Sequence, residues 1–293
     1  MLRLSAHGCL DRVGQHHNRL FARLWLGAWV PVIIHLDGIL LSAGLIALFS
    51  VAEVRWPASR QRDVRSRIVN IVIGVIVSVF AFLCTVLIVW FATLVWRDGL
   101  IGLVVPGWRS GGIAGLAVTV IAYGMVWDFF QYWFHRWQHT SSTLWPSHRV
   151  HHSDDSVNTT TALRRSVLEL LLIFVFILVP TVIVAGVDEV AAPIAFAIFY
   201  GWGFFNHANI RLPLGPLTAI FSGPQWHRLH HAIDLDCRDR NFAAYFPILD
   251  IVFGTYRAPR PHEYLATGVT DSAVTARPFR DCLLPRRTRE DAT

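Results

Sequence analysis

The stretch GIAGLAVTVIAYGMVWDFFQYWFHRWQH, residues 112–139, contains the two features that decide the fold of this chain. Its first part, residues 112–134, is apolar and long enough to cross, as a helix, the roughly 30 Å hydrocarbon core of a bilayer. Its last part carries His135 and His139, which share one face of a helix because they are four residues apart. The stretch therefore predicts a membrane-spanning helix that ends in a pair of imidazoles.

Further histidines follow in the same spacing. HRVHH (148–152) and HRLHH (227–231) each offer three imidazoles, and His207 lies between them. A transition metal takes about four to six donors, and neutral imidazole suits iron, zinc, copper and nickel. This array predicts two adjacent metals. The predicted ligands are His135, His139, His148, His151, His152, His207, His227, His230 and His231.

The composition is that of a membrane protein, with 54% hydrophobic residues, 16% charged residues and a mean hydropathy of +0.44. We predict four or five membrane spans. The candidate spans are 26–52, 68–96, 112–134, 167–187 and 191–206. The first contains His35 and Asp37, so it is either a span or an interfacial helix, and we expect a span. The last two are joined by only residues 186–190, which predicts a hairpin that returns to the side it left.

The distribution of arginines between the loops indicates which side of the membrane the histidines face. The loop at 53–67 holds five arginines against two in the loop at 97–111, and the excess favours the cytoplasmic side for the first loop and for the histidines. We therefore expect a multi-pass protein of a bacterial inner membrane whose site faces the cytoplasm. The net charge of +6 is interpreted as topology and attraction to anionic lipids, not as nucleic-acid binding. The four scattered cysteines predict no disulfide scaffold.

In their order, the motifs HRWQH, LWPSHRVHH, SVNTTTALR, FNHANI, PQWHRLHH and DRNFAAYFPILDIVFGTY resemble the fatty acid hydroxylase and sterol desaturase superfamily. The resemblance covers residues 128–264, about half of the chain. It implies an all-α integral-membrane bundle of hairpins with a histidine-rich cytosolic cap, and a non-haem di-iron enzyme that uses O₂ on a lipid. Some relatives have a further histidine at the position of Arg211.

The implied organisation is N-terminal membrane helices (1–111), a catalytic domain (112–264) and a basic C-terminal tail (265–293). The implied cofactors are two iron ions, with zinc able to take their place on purification because imidazole sites hold zinc at least as strongly as ferrous iron. O₂ is the implied co-substrate.

Metal-bound imidazoles usually give their other N–H group to a carboxylate or a carbonyl. Asp128 lies seven residues before His135 and on the same helical face, so it is a candidate for this role. Further candidates are Asp154, Asp155, Asn158, Asp239 and Asp250. Arg164 closes the TTALR stretch and is expected to pair with one of these carboxylates, and Asn209 is a candidate for a place near the metal served by His207. Trp133, Trp145 and Trp226 lie within the motifs and are candidates for the wall of a substrate channel.

Three classes of function fit the array. The first is a lipid oxygenase, either a hydroxylase or a desaturase, and we rank hydroxylation of a fatty acyl or sterol-like chain first. A metal transporter and a bis-histidine haem protein are the alternatives, but transporters place ligands near the midplane of their spans. The chain has neither a dinucleotide fingerprint nor a haem-attachment motif, so we expect electrons from a separate ferredoxin or cytochrome with its reductase.

Overall fold

The computed structural model describes residues 35–60, 63–92, 98–270 and 277–287, and these residues are helical with no strands. The longer helices are α1 (His35–Arg55), α2 (Val64–Ala92), α4 (Gly112–Thr140), α6 (Val167–Ala185) and α7 (Ala191–His207). Five short helices complete the described part: α3 (Gly99–Val104), α5 (Trp145–His152), α8 (Pro224–His230), α9 (Ile248–Val252) and α10 (Pro278–Leu283). Single 3₁₀ turns occupy Thr159–Leu163, Gly215–Ala219 and Leu235–Cys237.

Four of these helices, α1, α2, α4 and α6, are long and apolar enough to cross a membrane, with mean hydropathies between 1.7 and 3.0. Most of their residues are not buried inside the protein, as expected for surfaces that face lipid. The predicted helical membrane bundle is therefore confirmed. Residues 26–34 of the first candidate span lie outside the described residues, and His35 and Asp37 belong to the first described turn of α1.

The fifth candidate span, 191–206, is helix α7, and it is shorter than a span requires. It has 17 residues, whereas crossing the hydrocarbon core takes about 20. It packs closely on α4: a Cβ atom at Gly124 would lie only 2.1 Å from the Phe199 ring, so only glycine permits this approach. The described residues thus contain four candidate spans rather than five.

Helix α6 contains a π turn over Phe174–Leu178. It ends two residues before Pro180, which has no N–H group to donate and whose ring crowds the carbonyl four residues earlier. The local widening relieves that conflict without ending the helix. Helix α6 therefore stays continuous across the membrane and returns through α7.

The bundle has two chemically different ends. At the end away from the histidines, Arg109 donates to the carbonyls of Ala185 and Val187 and to the Tyr123 hydroxyl. That hydroxyl also accepts from the Asp188 N–H group at 2.8 Å. These contacts close the link between α6 and α7, so that Val167 and His207 both lie at the opposite end of the bundle.

Part of the region expected as a basic tail packs on the bundle. Helix α10 buries Cys282 completely against Ile73 and Val77 of α2 and Val167 of α6. Cys282, Cys84 and Cys237 are free thiols. The C-terminal helix therefore covers the histidine end of the bundle beside α5 and α6.

Candidate metal centre

All nine predicted ligands meet in one buried region, and they form two groups. The five-histidine group contains His135, His139, His148, His152 and His230. The four-histidine group contains His151, His207, His227 and His231. Within each group the nitrogen atoms that could bind a metal lie within 4.8 Å of one another.

Helical spacing explains how the two HxxHH motifs divide. On α5, His148 and His152 are four residues apart and share a face, so both join the five-histidine group, while His151 faces the other group. On α8 the roles are exchanged: the pair four residues apart, His227 and His231, joins the four-histidine group. Each short helix therefore contributes to both groups and fixes their separation.

Hydrogen bonds determine which nitrogen of each ring is available. His135 Nδ1 donates to the Phe242 carbonyl at 2.8 Å, and His148 Nδ1 donates to the Glu169 carboxylate at 2.9 Å. In a neutral ring whose Nδ1 carries the proton, Nε2 has only a lone pair. The two Nε2 atoms are 2.9 Å apart, so their lone pairs repel unless a cation or a proton lies between them.

The four-histidine group repeats this arrangement. His151 Nδ1 donates to the Arg164 carbonyl at 3.0 Å, and His207 Nδ1 donates to the Gly203 carbonyl at 2.7 Å. A carbonyl cannot donate, so both Nε2 atoms are acceptors, and they face each other at 3.0 Å. The donor set therefore fits a metal ion, because a cation accepts lone pairs that no hydrogen atom in the protein can satisfy.

Burial keeps these rings neutral. It lowers the pKa of His148, His151, His152 and His231 well below the ordinary value, and the pKa of His230 falls to about 4. Removal of an imidazolium from water is the main cause, and the neighbouring rings add repulsion for most of them. Neutral imidazole is the form that binds a metal, so the site is ready to bind at pH 7 without displacing protons from these nitrogens.

One partner of the rings was missed in the sequence analysis. Glu169 is 1% exposed, and its carboxylate accepts from His148 and, at 3.0 Å, from Arg165. The signal was present, because a carboxylate inside an apolar run is costly unless it has a partner.

Asp239, a candidate partner of the rings, has its carboxylate 3.3 Å from His139 Nδ1. It is half-exposed, so it connects the five-histidine group with the protein surface. Its backbone is in the left-handed region at φ 56°, a conformation that aspartate tolerates better than most residues.

Asp128 does not contact a histidine, contrary to the expectation. Its two oxygens accept from the N–H groups of Ala244, Tyr245 and Phe246 at 2.6 to 3.1 Å. Asp250, another candidate, accepts from the N–H groups of residues 242 and 243. Helical spacing gave the correct face, but a loop lies between this carboxylate and the rings. The two aspartates act one step further away, by fixing the loop whose residue 242 binds His135.

The remaining candidates form hydrogen bonds with neighbouring backbone groups and polar side chains instead of with the imidazole rings. The Asn158 side chain caps the 3₁₀ turn that begins at Thr159. Asp154 accepts from Ser66, Asn70 and Thr161. The Asp155 backbone carbonyl accepts from the Thr267 hydroxyl at 3.1 Å.

Arg164 and Asn209 also differ from expectation. The Arg164 guanidinium donates to the Val150 carbonyl and to Ser153 and Asn70 rather than to a carboxylate, although its own carbonyl holds His151. The Asn209 side chain pairs with the backbone of Ser59 at 2.9 Å, which turns it away from a role beside His207.

The three tryptophans have different surroundings. Trp226 is fully buried against Tyr132 and Phe242, and Trp145 lies 5.0 Å from the His139 ring. Trp133 is exposed on α4 and lines an open groove of about 320 Å³ between α4 and α6. That groove is lined by Phe130, Trp133, Phe134, Trp137 and Phe176.

Comparison with known proteins agrees with this geometry. A model of the fatty acid hydroxylase family matches residues 120–255. Human alkylglycerol monooxygenase is 35% identical over 153 residues, which are 52% of this chain and 33% of that protein. Ornithine lipid hydroxylase OlsE of Rhizobium tropici is 26% identical over 175 residues, 56% of this chain and 51% of the relative.

Methylsterol monooxygenase 1-3 of Arabidopsis thaliana is 25% identical over 172 residues, 54% of this chain and 56% of the relative. This chain therefore spans about a third of the alkylglycerol monooxygenase and about half of the other two relatives. No solved structure matches significantly. The superfamily resemblance inferred from the histidine motifs is confirmed.

Proposed function

Because residues 120–255 match the fatty acid hydroxylase family, we propose that this chain is a membrane-bound di-iron oxygenase that hydroxylates a lipid. The observation that carries the proposal is the pair of histidine groups with facing acceptor nitrogens at one end of four membrane-length helices. The names of the three relatives describe oxidation of different lipids, so the shared element is the lipid class and the reaction type. We propose a fatty acyl or sterol-like chain as the substrate.

In the proposed reaction a C–H bond of the lipid, O₂, two electrons and two protons give an alcohol and water. The two iron ions would supply the activation of O₂. The nine imidazoles would hold the metals as neutral donors, and the Glu169 carboxylate fixes the orientation of His148. Because the rings are almost completely buried, bulk water has little access to the reacting atoms.

The groove between α4 and α6 supports lateral entry of the lipid. Its aromatic walls lie on the same turns of α4 as His135 and His139, and the Phe134 and Phe176 rings stack at 5.5 Å. The groove opens on surfaces that would face the bilayer. An acyl chain could therefore approach the five-histidine group without leaving the apolar phase.

Electrons would come from a separate donor, a ferredoxin or cytochrome with its reductase. The half-exposed Asp239, in contact with His139, is a short connection between the surface and the five-histidine group. The arginine-rich loop after α1 lies at the histidine end, because Glu53 accepts from Thr159 and Asn209. That arrangement supports a cytoplasmic site, where such donors are found.

The position of the histidines argues against a metal transporter. They lie at the ends of α4 and α7 and in the short helices α5 and α8, whereas transporters bind their cargo near the middle of the spans. Desaturation uses the same metals and differs in the fate of the substrate radical. The product of the reaction therefore has to be measured.

The experiment compares the wild type with His151→Ala and with the control His262→Asn. His262 is exposed, away from both groups, and has φ 61°, which asparagine tolerates. Each protein is produced in a lipid-rich bacterial host, its metals are measured by elemental analysis, and the lipids are compared by mass spectrometry. We expect about two metals and a lipid gain of one oxygen atom in the wild type and the control, both reduced in His151→Ala. A loss of two hydrogen atoms would identify a desaturase, and absence of metal from the wild type would contradict the proposal.

A further inference from the structure

A second site, separate from the histidines, lies beside the end of α1. It is a cavity of about 280 Å³ lined by Arg55, Trp56, Pro57, Arg60 and Arg211. Three of its five lining residues carry a positive charge, and none carries a negative one. Such a lining favours an anionic ligand.

The backbone beneath this cavity is held in place. Residues 56–58 run antiparallel to residues 209–211, and Arg211 N–H donates to the Trp56 carbonyl at 2.8 Å. Ala58 N–H donates to the Asn209 carbonyl at 3.0 Å, and the Asn209 side chain bonds both backbone groups of Ser59. The arginines therefore project from a fixed frame and not from a free loop.

Buried contacts anchor this frame to the protein. The Glu53 carboxylate is almost fully buried and accepts from the N–H groups of Asn209 and Thr159 at 2.8 and 2.7 Å. Its other oxygen pairs with Arg67. The Arg211 guanidinium lies 5.9 Å from the centre of the Tyr264 ring, which limits the directions it can take.

The positive charge of the cavity is not compensated by the described part of the chain. Among residues 35–60, 63–92, 98–270 and 277–287, no carboxylate forms an ion pair with Arg55, Arg60 or Arg211. Glu53, the nearest acidic residue in sequence, forms an ion pair with Arg67 and accepts hydrogen bonds from backbone N–H groups. Three guanidinium groups are thus available to an external anion.

The position of the cavity at the end of a candidate membrane span indicates which class of anion it binds. Helix α1 is a candidate membrane span that ends at Arg55, and Trp56 is 62% exposed just beyond it. Exposed tryptophans at the ends of spans lie at the level of the lipid headgroups, and guanidinium groups bind phosphate oxygens in pairs. We propose that this cavity binds the phosphate of an anionic glycerophospholipid at the membrane surface. This proposal does not depend on the oxygenase reaction.

The test is a titration of the purified full-length chain, in a maltoside detergent without phosphate, with dihexanoyl phosphatidylglycerol by calorimetry. The wild type is compared with Arg60→Gln, with the double variant Arg60→Gln/Arg211→Gln, and with the control Arg280→Gln. Arg280 is an exposed residue of α10, so the control removes the same charge elsewhere. A hydrogen-bonded charge contact is worth enough for a loss of about tenfold per arginine. We expect this loss in the single variant, a larger one in the double variant, and unchanged binding in the control.

Titrations with two further ligands distinguish a phospholipid headgroup from free phosphate as the bound anion. Dihexanoylglycerol, which has the chains without phosphate, and inorganic phosphate should both bind at least about tenfold more weakly than the phospholipid. Equal binding of inorganic phosphate would assign the cavity to a soluble anion and overturn the lipid proposal. Equal binding by Arg60→Gln and the wild type would overturn the site itself, and circular dichroism of Arg60→Gln confirms that the comparison is between folded proteins.

Discussion

The two histidine groups differ in what supports them. In the five-histidine group, two of the outward nitrogens contact carboxylates, Glu169 and Asp239, and His135 and His230 donate to backbone carbonyls. In the four-histidine group, His151 and His207 donate to backbone carbonyls, and no carboxylate of the described residues contacts a ring nitrogen. There the Nδ1 atoms of His227 and His231 are buried without a hydrogen-bond partner in the described residues.

Because their supporting partners differ, we infer that the two neighbouring histidine groups are not equivalent as metal sites. A carboxylate that accepts from a ligand imidazole fixes the ring and makes its other nitrogen a better donor. The five-histidine group also has one ligand to spare. We therefore expect it to hold its metal more tightly than the four-histidine group does.

The largest expected effect contrasts one deletion in each group. His207→Ala leaves three ligands in its group, so the metal content should fall from about two ions per chain to about one, with a loss of lipid oxidation of at least about 100-fold. His139→Ala leaves four ligands and should keep close to two metals. Elemental analysis and lipid mass spectrometry of the two variants provide the measurement. Equal metal loss in both variants would contradict the predicted difference in metal affinity between the two groups.

The second effect concerns the buried carboxylate. Glu169→Gln keeps an acceptor for His148 but removes the charge, which should weaken metal binding to the five-histidine group by about 10- to 100-fold. Competition with a ferrous chelator measures this affinity. Glu189→Gln, which lies at the opposite end of the bundle, is the matched control. An unchanged affinity in Glu169→Gln would show that the carboxylate does not tune the metal.

A smaller effect is expected at the other carboxylate. Asp239 is half-exposed, so solvent screens its charge, and Asp239→Asn should lower the same affinity by less than about tenfold. Asparagine tolerates the positive φ at this position. Asp236→Asn, an exposed neighbour, controls for the loss of one charge in this loop. An effect larger than that of Glu169→Gln would reverse the proposed order of the two carboxylates.

The smallest effect on the metals should come from the groove. Phe176→Ala removes an aromatic wall between α4 and α6 without touching either group, so both metals should remain while KM for the lipid rises by roughly threefold to tenfold. The control is Leu87→Ala, an exposed apolar residue of α2. Loss of metal in Phe176→Ala would show that the groove is part of the metal frame and not a path for substrate.

The histidines could be found from sequence because their spacing is local. Residues three and four apart share a helical face, so each motif revealed its imidazoles without knowledge of the fold. The membrane helices were equally visible, since hydrophobic length is also a local property. The prediction of four or five spans is confirmed at four, because α7 is apolar but shorter than a span requires.

The partners of the rings could not be assigned in the same way. Asn209 was expected near a metal, yet its amide is occupied by Ser59, a contact between segments 150 residues apart. Asp128 lies on the predicted face of α4, but the loop at 244–246 comes between it and the rings. Such contacts depend on how distant segments pack, and a single sequence does not contain that information.

The most direct test is an anaerobic titration of the metal-free wild-type protein with ferrous iron, followed by calorimetry. We expect two binding steps with a total of about two ions per chain, the tighter step belonging to the five-histidine group and persisting in His207→Ala. A single ion per chain, or two equal steps that both disappear in His207→Ala, would contradict the proposed pair of unequal metal sites.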